Sequence, residues 1–556
     1  MSKHISLKVH MYVCFILLLA NPLSAQAGWS NDPTVNTSVF QEYSNLNPSM
    51  TTDGVGGSII AWSSNYLIYA QRIDANGNVV WGTDAKPISN NGDEYYPQLT
   101  GDGAGGAIIA WRSGGSSISP GIYVQRIDSN GNTMWAAGGL NISNSSDMNY
   151  PMIASDGASG AIITWQDRRS GPYYKVYAQR VDHLGNPMWQ TNGLALSSAT
   201  GHQYYPQIIS DGSSGAIITW QDGRVGWDVY VQRIDAGGNA KWTADGVPIT
   251  NDSNFLHQDP QLTSDGAGGA IMTWWQYKSG QTYRVYAQRI DNAGTVKWTA
   301  GGIPIANSSS YHQMSSHITG DGSGGAIIAW WDINNYSGVV YGVYAQRVDA
   351  GGAALWASNG VTVATPANIN ADYYSPQIVS DGGGGAVITW ADMRNSIDRN
   401  VYAQRIAGLT GAAMWTSDGV PISTAVNDQQ LPKLIQSGNG GFILTWQDMR
   451  NGNWDIYAQK VLADGTLASS CSTDPVRIAD TPYQTIQNAY DNASTGDTLK
   501  LQSYYFNETV NANRGISLIL KGGYLCDYLT NPEFTELYGM FTVSSGVVII
   551  ENLIVR

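Results

Sequence analysis

One stretch constrains this chain more than any other. Ser210–Thr243 reads SDGSSGAIITWQDGRVGWDVYVQRIDAGGNAKWT, and its pattern returns along most of the first 470 of 556 residues. The anchor is Asp-Gly-x-x-Gly, an apolar run closing on Trp, then Tyr-Ala/Val-Gln-Arg-Ile/Val-Asp and a second Trp. Self-similarity at a period of about 55 residues marks each unit as a module that buries its apolar face only against its neighbours. The first Trp falls at eight positions, Trp62, Trp111, Trp165, Trp220, Trp274, Trp330, Trp390 and Trp446. A Tyr-x-Gln-Arg element follows each, with Lys460 replacing Arg in the last copy.

Four strand-sized segments make a unit. In the fourth copy they are Pro206–Ser210, Gly215–Gln221, Asp228–Asp235 and Ala240–Thr243. Val229, Val231 and Arg233 alternate with Tyr230, Gln232 and Ile234, the period of a strand with two unlike faces. Asp211-Gly212 and Ala236-Gly237-Gly238 supply hairpin turns where positive φ costs Gly little. With 64 Gly, 20 Trp and 13% charged residues, the composition suits short strands and tight turns rather than long helices.

The ends of the array choose between a ring and an open stack. The last unit lacks its second Trp, whereas Gly28–Val35 is similar to Met414–Pro421. Trp29 therefore completes a second column of eight with Trp81, Trp135, Trp189, Trp242, Trp298, Trp356 and Trp415. A chain that begins with the outer strand of a unit and ends with the other three is permuted as a closed ring requires. The expected fold is all-β, an eight-bladed β-propeller over 28–470 closed by its N-terminal strand.

A residue needed for catalysis is needed once; a residue present eight times is packing. The two Trp columns, among them Trp29, Trp62, Trp220, Trp242 and Trp446, are expected in the core, each indole N–H finding one partner. The Gln-Arg pair is expected to link blades, with Arg233 near Asp211 or Asp235. Trp-x-Asp-x-Arg, at 165–169, 220–224, 390–394 and 446–450, reads as loop-fixing ion pairs.

Met1–Ala27 carries Lys3 and Lys8 ahead of an apolar run and ends Ala25-Gln26-Ala27, the pattern of a cleaved signal peptide. The mature protein is expected to be exported, to the cell surface, the medium or the periplasm, with no later run long enough to insert in a membrane. The full sequence has a formal charge of −14, which disfavours nucleic acid as a partner. Cys471 and Cys526 are the two cysteines past the leader and are expected to pair in an oxidising compartment.

Function is expected on the links between blades, which vary most and are aromatic. Tyr95, Tyr96, His202, Tyr204, His257, His312 and Tyr373 are the candidate ligand residues, suited to stacking on a sugar or peptide. The three histidines recur at intervals of 55 and raise the question of a transition metal, but three converging across a wide ring is hard. No cofactor is expected, with calcium the one alternative left open. The turn Asp74–Asn78 has too few carboxylates for a calcium loop, and no nucleophile, zinc-protease or phosphate-loop pattern occurs.

The segment Asp-x-x-Gly-x-x-x-Trp resembles the PQQ-type propeller repeat, with Leu409–Trp415 as its nearest copy. That resemblance implies a quinoprotein-like redox propeller, although the vicinal cysteine pair of those dehydrogenases has no counterpart here. From Cys471 the pattern changes. Thr481-Pro482-Tyr483-Gln484 reads as a capping box opening a helix with Ile486, Ala489, Tyr490 and Ala493 on one face. Strands are expected at Thr498–Gln502, Ile516–Lys521, Phe541–Ser544 and Val547–Arg556. The run resembles the opening of right-handed parallel β-helix domains of the pectate-lyase type, which implies an incomplete β-helix over 471–556. Its exposed last coil suggests self-association.

These readings describe a non-catalytic binding protein whose propeller is a scaffold for a glycan or protein ligand. The alternative is a carbohydrate-active lyase or hydrolase whose catalytic β-helix is truncated here.

Overall fold

The computed structural model describes residues 28–41, 44–90, 92–114, 119–306, 312–333, 340–365, 375–438, 441–469, 475–502, 505–524, 528 and 535–555. Residues 1–27, where a leader is expected, and Tyr373, Cys471 and Cys526 lie outside them. Eight four-stranded antiparallel sheets form an eight-bladed β-propeller. Blade 1 comprises Asn45–Thr52, Ser58–Ser64, Leu67–Ile73 and Lys86–Pro87; blade 4 comprises Gln203–Ser210, Ala216–Asp222, Asp228–Ile234 and Val247–Pro248. The first strand of each blade lies against the first strands of both neighbours, and that of blade 8, Gln429–Ser437, lies against that of blade 1. The eight first strands thus encircle one axis. In blade 8 the fourth strand is Thr37–Phe40, paired Thr37 to Ala458 and Ser38 to Tyr457.

The anchor residues explain why these blades hold together. Asp211 Oδ1 accepts the backbone N–H groups of Ser213 and Gly215 and so closes the first hairpin of blade 4. A Cβ at Gly215 would meet the Ile234 carbonyl at 2.2 Å, so only glycine fits there. The second oxygen of Asp211 takes the Arg233 guanidinium at 2.9 Å, which decides between the two acids open to that arginine. The same ion pair recurs at Arg72–Asp53, Arg126–Asp102, Arg180–Asp156, Arg289–Asp265, Arg347–Asp321 and Arg405–Asp381.

Each arginine also reaches the next blade. Arg126 donates to the His183 carbonyl and Arg180 to that of Ala236. In blade 8 the anchor aspartate is absent, and Lys460 reaches the Ala75 carbonyl of blade 1. The second Trp column meets the same hairpins: Trp189 Nε1 donates to Ala236 O, Trp242 Nε1 to Asn292 O, and Trp29 Nε1 to Ala75 O at 2.9 Å. The preceding glutamine clamps its own outer segment, Gln232 Oε1 accepting the Trp242 N–H while Gln459 donates to Ser30 O.

Two boundaries differ from expectation. The outer strand of blade 4 is Val247–Pro248, because Ala240–Thr243 makes only a bridge at Ala240 and turns Trp242 toward blade 5. Likewise the strand near the start of the chain is Thr37–Phe40 rather than Gly28–Val35. The first Trp column is buried as expected, Trp220 stacking on Tyr230 with ring centroids 6.3 Å apart.

In the C-terminal region, Thr498–Gln502, Ser517–Tyr524 and Val547–Glu551 pair in parallel, as do Tyr505–Phe506, Thr535–Leu537 and Leu553–Val555, and Val510–Ala512 with Phe541–Val543. The helix is Ile486–Asn492, and its cap is Thr485, whose hydroxyl accepts the Asn488 N–H. Thr481–Tyr483 is instead a strand paired with Val476–Ile478. The Glu508 carboxylate accepts the Ile486 and Gln487 N–H groups and fixes the helix start four residues later than the capping-box reading. Among the described residues no helix is long and apolar enough to cross a membrane.

Candidate functional site

The innermost strands carry one irregularity that recurs round the axis. Near the start of seven of the eight, one residue is bulged out of the ladder into the left-handed region: Asn47, Tyr96, Tyr150, Tyr205, Asp259, Ser315 and Leu431, with φ between 50° and 57°. The register shifts at the same places. Six of these residues precede proline, a context that favours extended backbone. A tyrosine at positive φ is an outlier, and such strain persists only where the surroundings impose it. Here the surroundings include the neighbouring blade: Gln166 of blade 3 accepts the Tyr205 N–H, and Gln447 of blade 8 accepts the Asn47 N–H.

The bulges stand where the innermost strands leave the blade-to-blade links, at one mouth of the channel. Tyr96, Tyr150 and Tyr205, in blades 2 to 4, are 49%, 50% and 38% exposed. Tyr150 and Tyr205 meet edge to face at 5.1 Å across the blade boundary. Asp259 continues the arc in blade 5. Its carboxylate accepts the Trp275 indole N–H at 2.8 Å, and burial pushes its pKa up. The hydroxyl of Tyr205 is pushed up by burial first and then by Tyr150 and Asp259, which places the acid within electrostatic reach of the tyrosines.

Behind the arc stands a second aromatic layer. Tyr204 stacks on His202 at 5.1 Å and on Trp227 at 5.6 Å, and its hydroxyl lies 2.9 Å from His202 Nδ1. Tyr174 packs beside Tyr204 and hydrogen bonds Asp147, which lies 2.6 Å from Arg168. That hydrogen bond, followed by burial, pushes the Tyr174 hydroxyl up to about 12 and keeps it protonated. In blade 2, Tyr95 bridges Tyr66 and Tyr96, with centroids 6.2 and 6.3 Å away.

The candidate residues therefore separate. Tyr95, Tyr96, His202 and Tyr204 belong to the aromatic mouth. His257 is buried against the Trp227 carbonyl at 2.9 Å and Asp228 at 3.2 Å. His312 is also buried, its Nδ1 accepting the Tyr283 N–H at 3.0 Å. His202 and His312 each stand three residues before a bulge and hold the loop of the preceding blade, whereas His257 stands two before. The equal spacing does not give three equivalent places. Among the described residues, no group of three His, Cys, Asp or Glu side chains is disposed to hold a metal ion.

Asp167, Asp222, Asp392 and Asp448 each accept a Trp indole N–H and an Arg guanidinium. Those arginines lie over Tyr177, Tyr230, Tyr402 and Tyr457, so the pairs brace loops. The Asp74 turn is likewise closed on itself, Asp74 Oδ1 accepting the Asn76 and Asn78 N–H groups.

Tyr150, Tyr205 as a bulge residue, and Asp259 were missed in the sequence. Their signal is the residue before the proline that opens most inner strands.

No protein-family model matches the chain, and no curated protein matches it. Among solved structures it is similar to the BP39L lectin from Burkholderia pseudomallei (TM-score 0.47, 10% identity, 69% of this chain and 100% of that one). It is also similar to the polysaccharide lyase Uly1 (0.42, 10%, 69% and 91%) and to the β-propeller domain of the Trilobed protease from Pyrococcus furiosus (0.39, 9%, 69% and 100%). Likenesses this remote carry nothing about ligand or chemistry.

Proposed function

We propose that this is an exported, carbohydrate-recognising propeller, closed into a ring by its N-terminal strand and followed by the first coils of a parallel β-helix. The single observation that supports the glycan reading is the arc of Tyr96, Tyr150 and Tyr205. Three large rings in consecutive blades are held at strained backbone positions and left open to solvent. Aromatic faces with polar tips stack on the C–H faces of sugars while their hydroxyls remain free to hydrogen bond. A core role would have buried them. The eightfold Trp columns, buried throughout or nearly so, are the contrast within the same chain.

A second reading, glycan cleavage at the same mouth, has one observation in its favour: Asp259 ends the arc with a carboxyl whose burial favours the protonated form that a general acid needs. The test is affinity electrophoresis of the full chain through gels containing polygalacturonate, alginate, xylan or laminarin, with reducing-sugar release followed in parallel. Retardation in at least one gel without sugar release supports recognition. Release that disappears in Asp259→Asn supports cleavage, and free migration in all four gels contradicts both.

A further inference from the structure

One step below the bulges, the residue after the proline column forms a second ring: Ser49, Gln98, Met152, Gln207, Gln261, His317, Gln377 and Lys433. Each pairs with the equivalent residue of its own second strand, from Ser49 with Ala61 round to Lys433 with Thr445. These are innermost-strand positions, and neighbours touch across blade boundaries. Lys433 Nζ of blade 8 lies 3.4 Å from Gln377 Oε1 of blade 7, and Gln377 Nε2 lies 3.4 Å from His317 Nε2 of blade 6. Gln377 thus turns its carbonyl to the ammonium and its amide N–H to the imidazole. This orientation leaves the positive charge on the lysine and His317 neutral.

Among the described residues, no acid is paired with Lys433, and Gln377 is its one side-chain partner at hydrogen-bonding distance. Burial alone lowers its pKa, while His317 is pushed down to about 3 by burial and then by the charge of Lys433. A half-buried ammonium without a counter-charge costs stability, and nothing in the packing of a propeller demands one: the other seven places in the ring hold Ser, Gln, Met or a neutral His. Of the eight ring positions this is the one that holds a cation, in a chain of formal charge −14. Blade 8 stands across the axis from blade 4, so Lys433 lies opposite and below Tyr205.

We propose that Lys433, with Gln377 and His317 beside it, is an anion-binding subsite of the channel that takes the acidic group of a saccharide stacked on the tyrosine arc. The saccharide half of this inference rests on the glycan reading above; the anion half does not. A carboxylate or sulfate ester on a sugar and a free inorganic anion share the chemistry, since each offers oxygens to the two ammonium protons that Gln377 does not take.

The experiment is calorimetric titration of the full-length protein with tetragalacturonate, with its fully methyl-esterified counterpart and with sodium sulfate. It compares wild type, Lys433→Gln and Tyr150→Ala/Tyr205→Ala, each checked for folding by thermal melting. Wild type is expected to prefer the acid to the ester by about tenfold or more, the scale of one charge-assisted hydrogen-bonded contact. Lys433→Gln is expected to lose that preference, keep the ester affinity and melt no lower. Tyr150→Ala/Tyr205→Ala is expected to weaken both saccharides together. Acid binding by Lys433→Gln within twofold of wild type overturns the subsite while leaving the arc intact. If neither saccharide binds but sulfate binds wild type and not Lys433→Gln, the glycan reading fails and the anion site stands alone. No binding of any probe overturns both.

Discussion

Two rings of equivalent residues run round this propeller, and they differ in kind. In the outer one, near the hairpins, seven blades repeat the same Arg–Asp pair and the eighth substitutes Lys460. In the inner one, at the channel, the bulge positions hold Asn, Tyr, Tyr, Tyr, Asp, Ser and Leu, and the ring below holds five residue types in eight places. Both are built by one backbone geometry. Where a position meets the same neighbour in each blade, one solution is repeated; where it meets whatever enters the channel, the blades diverge. Uniformity marks scaffold and divergence marks recognition.

That contrast can be broken or sharpened by substitution. The largest effect is expected from Trp220→Ala, which removes a fully buried indole and should cost about 3–5 kcal/mol by chemical denaturation. A cost below about 1 kcal/mol would show that the Trp column is not the core. Next comes Asp156→Asn, which leaves Arg180 without its counter-charge. Its partner is partly exposed, so the expected loss is about 2–3 kcal/mol rather than the larger figure for a fully buried pair, read in the same way. Gln166→Ala should cost only about 1 kcal/mol, by freeing the Tyr205 N–H, yet it should weaken saccharide binding because the bulge loses its brace. An unchanged affinity would detach the bulge from recognition.

A pH dependence is expected as well. His317 binds its proton in the folded chain only near pH 3, whereas the unfolded chain binds it below about 6.5. Unfolding therefore takes up a proton between those values, and wild type loses stability as pH falls through that window. His317→Gln should narrow the loss there and match wild type above pH 7, as read from melting curves across the range; parallel curves throughout would contradict it.

Much of the architecture was legible because its causes are local and repeated. The Trp columns, the hairpin glycines and the Gln-Arg pair announce themselves by period. Arg233 was narrowed to two acids, and the choice awaited the hairpin geometry that turns Asp211 back toward its own third strand. The site was less legible. Tyr205-Pro206 reads as ordinary extended chain, and only the two-against-one pairing at Gln207 reveals the bulge. Histidines spaced evenly in sequence occupied unequal places because link lengths differ by a residue between blades. The start of the C-terminal helix was misplaced because Glu508, more than twenty residues downstream, caps it.

The central claim, that the strained tyrosines serve recognition and the buried tryptophans serve the fold, is tested most directly by measuring melting temperature and polygalacturonate affinity on the same samples of wild type and Tyr150→Ala/Tyr205→Ala. The account predicts a melting temperature within a few degrees of wild type and an affinity lower by about tenfold or more. A variant that melts far lower, or one that binds as wild type does, would contradict it.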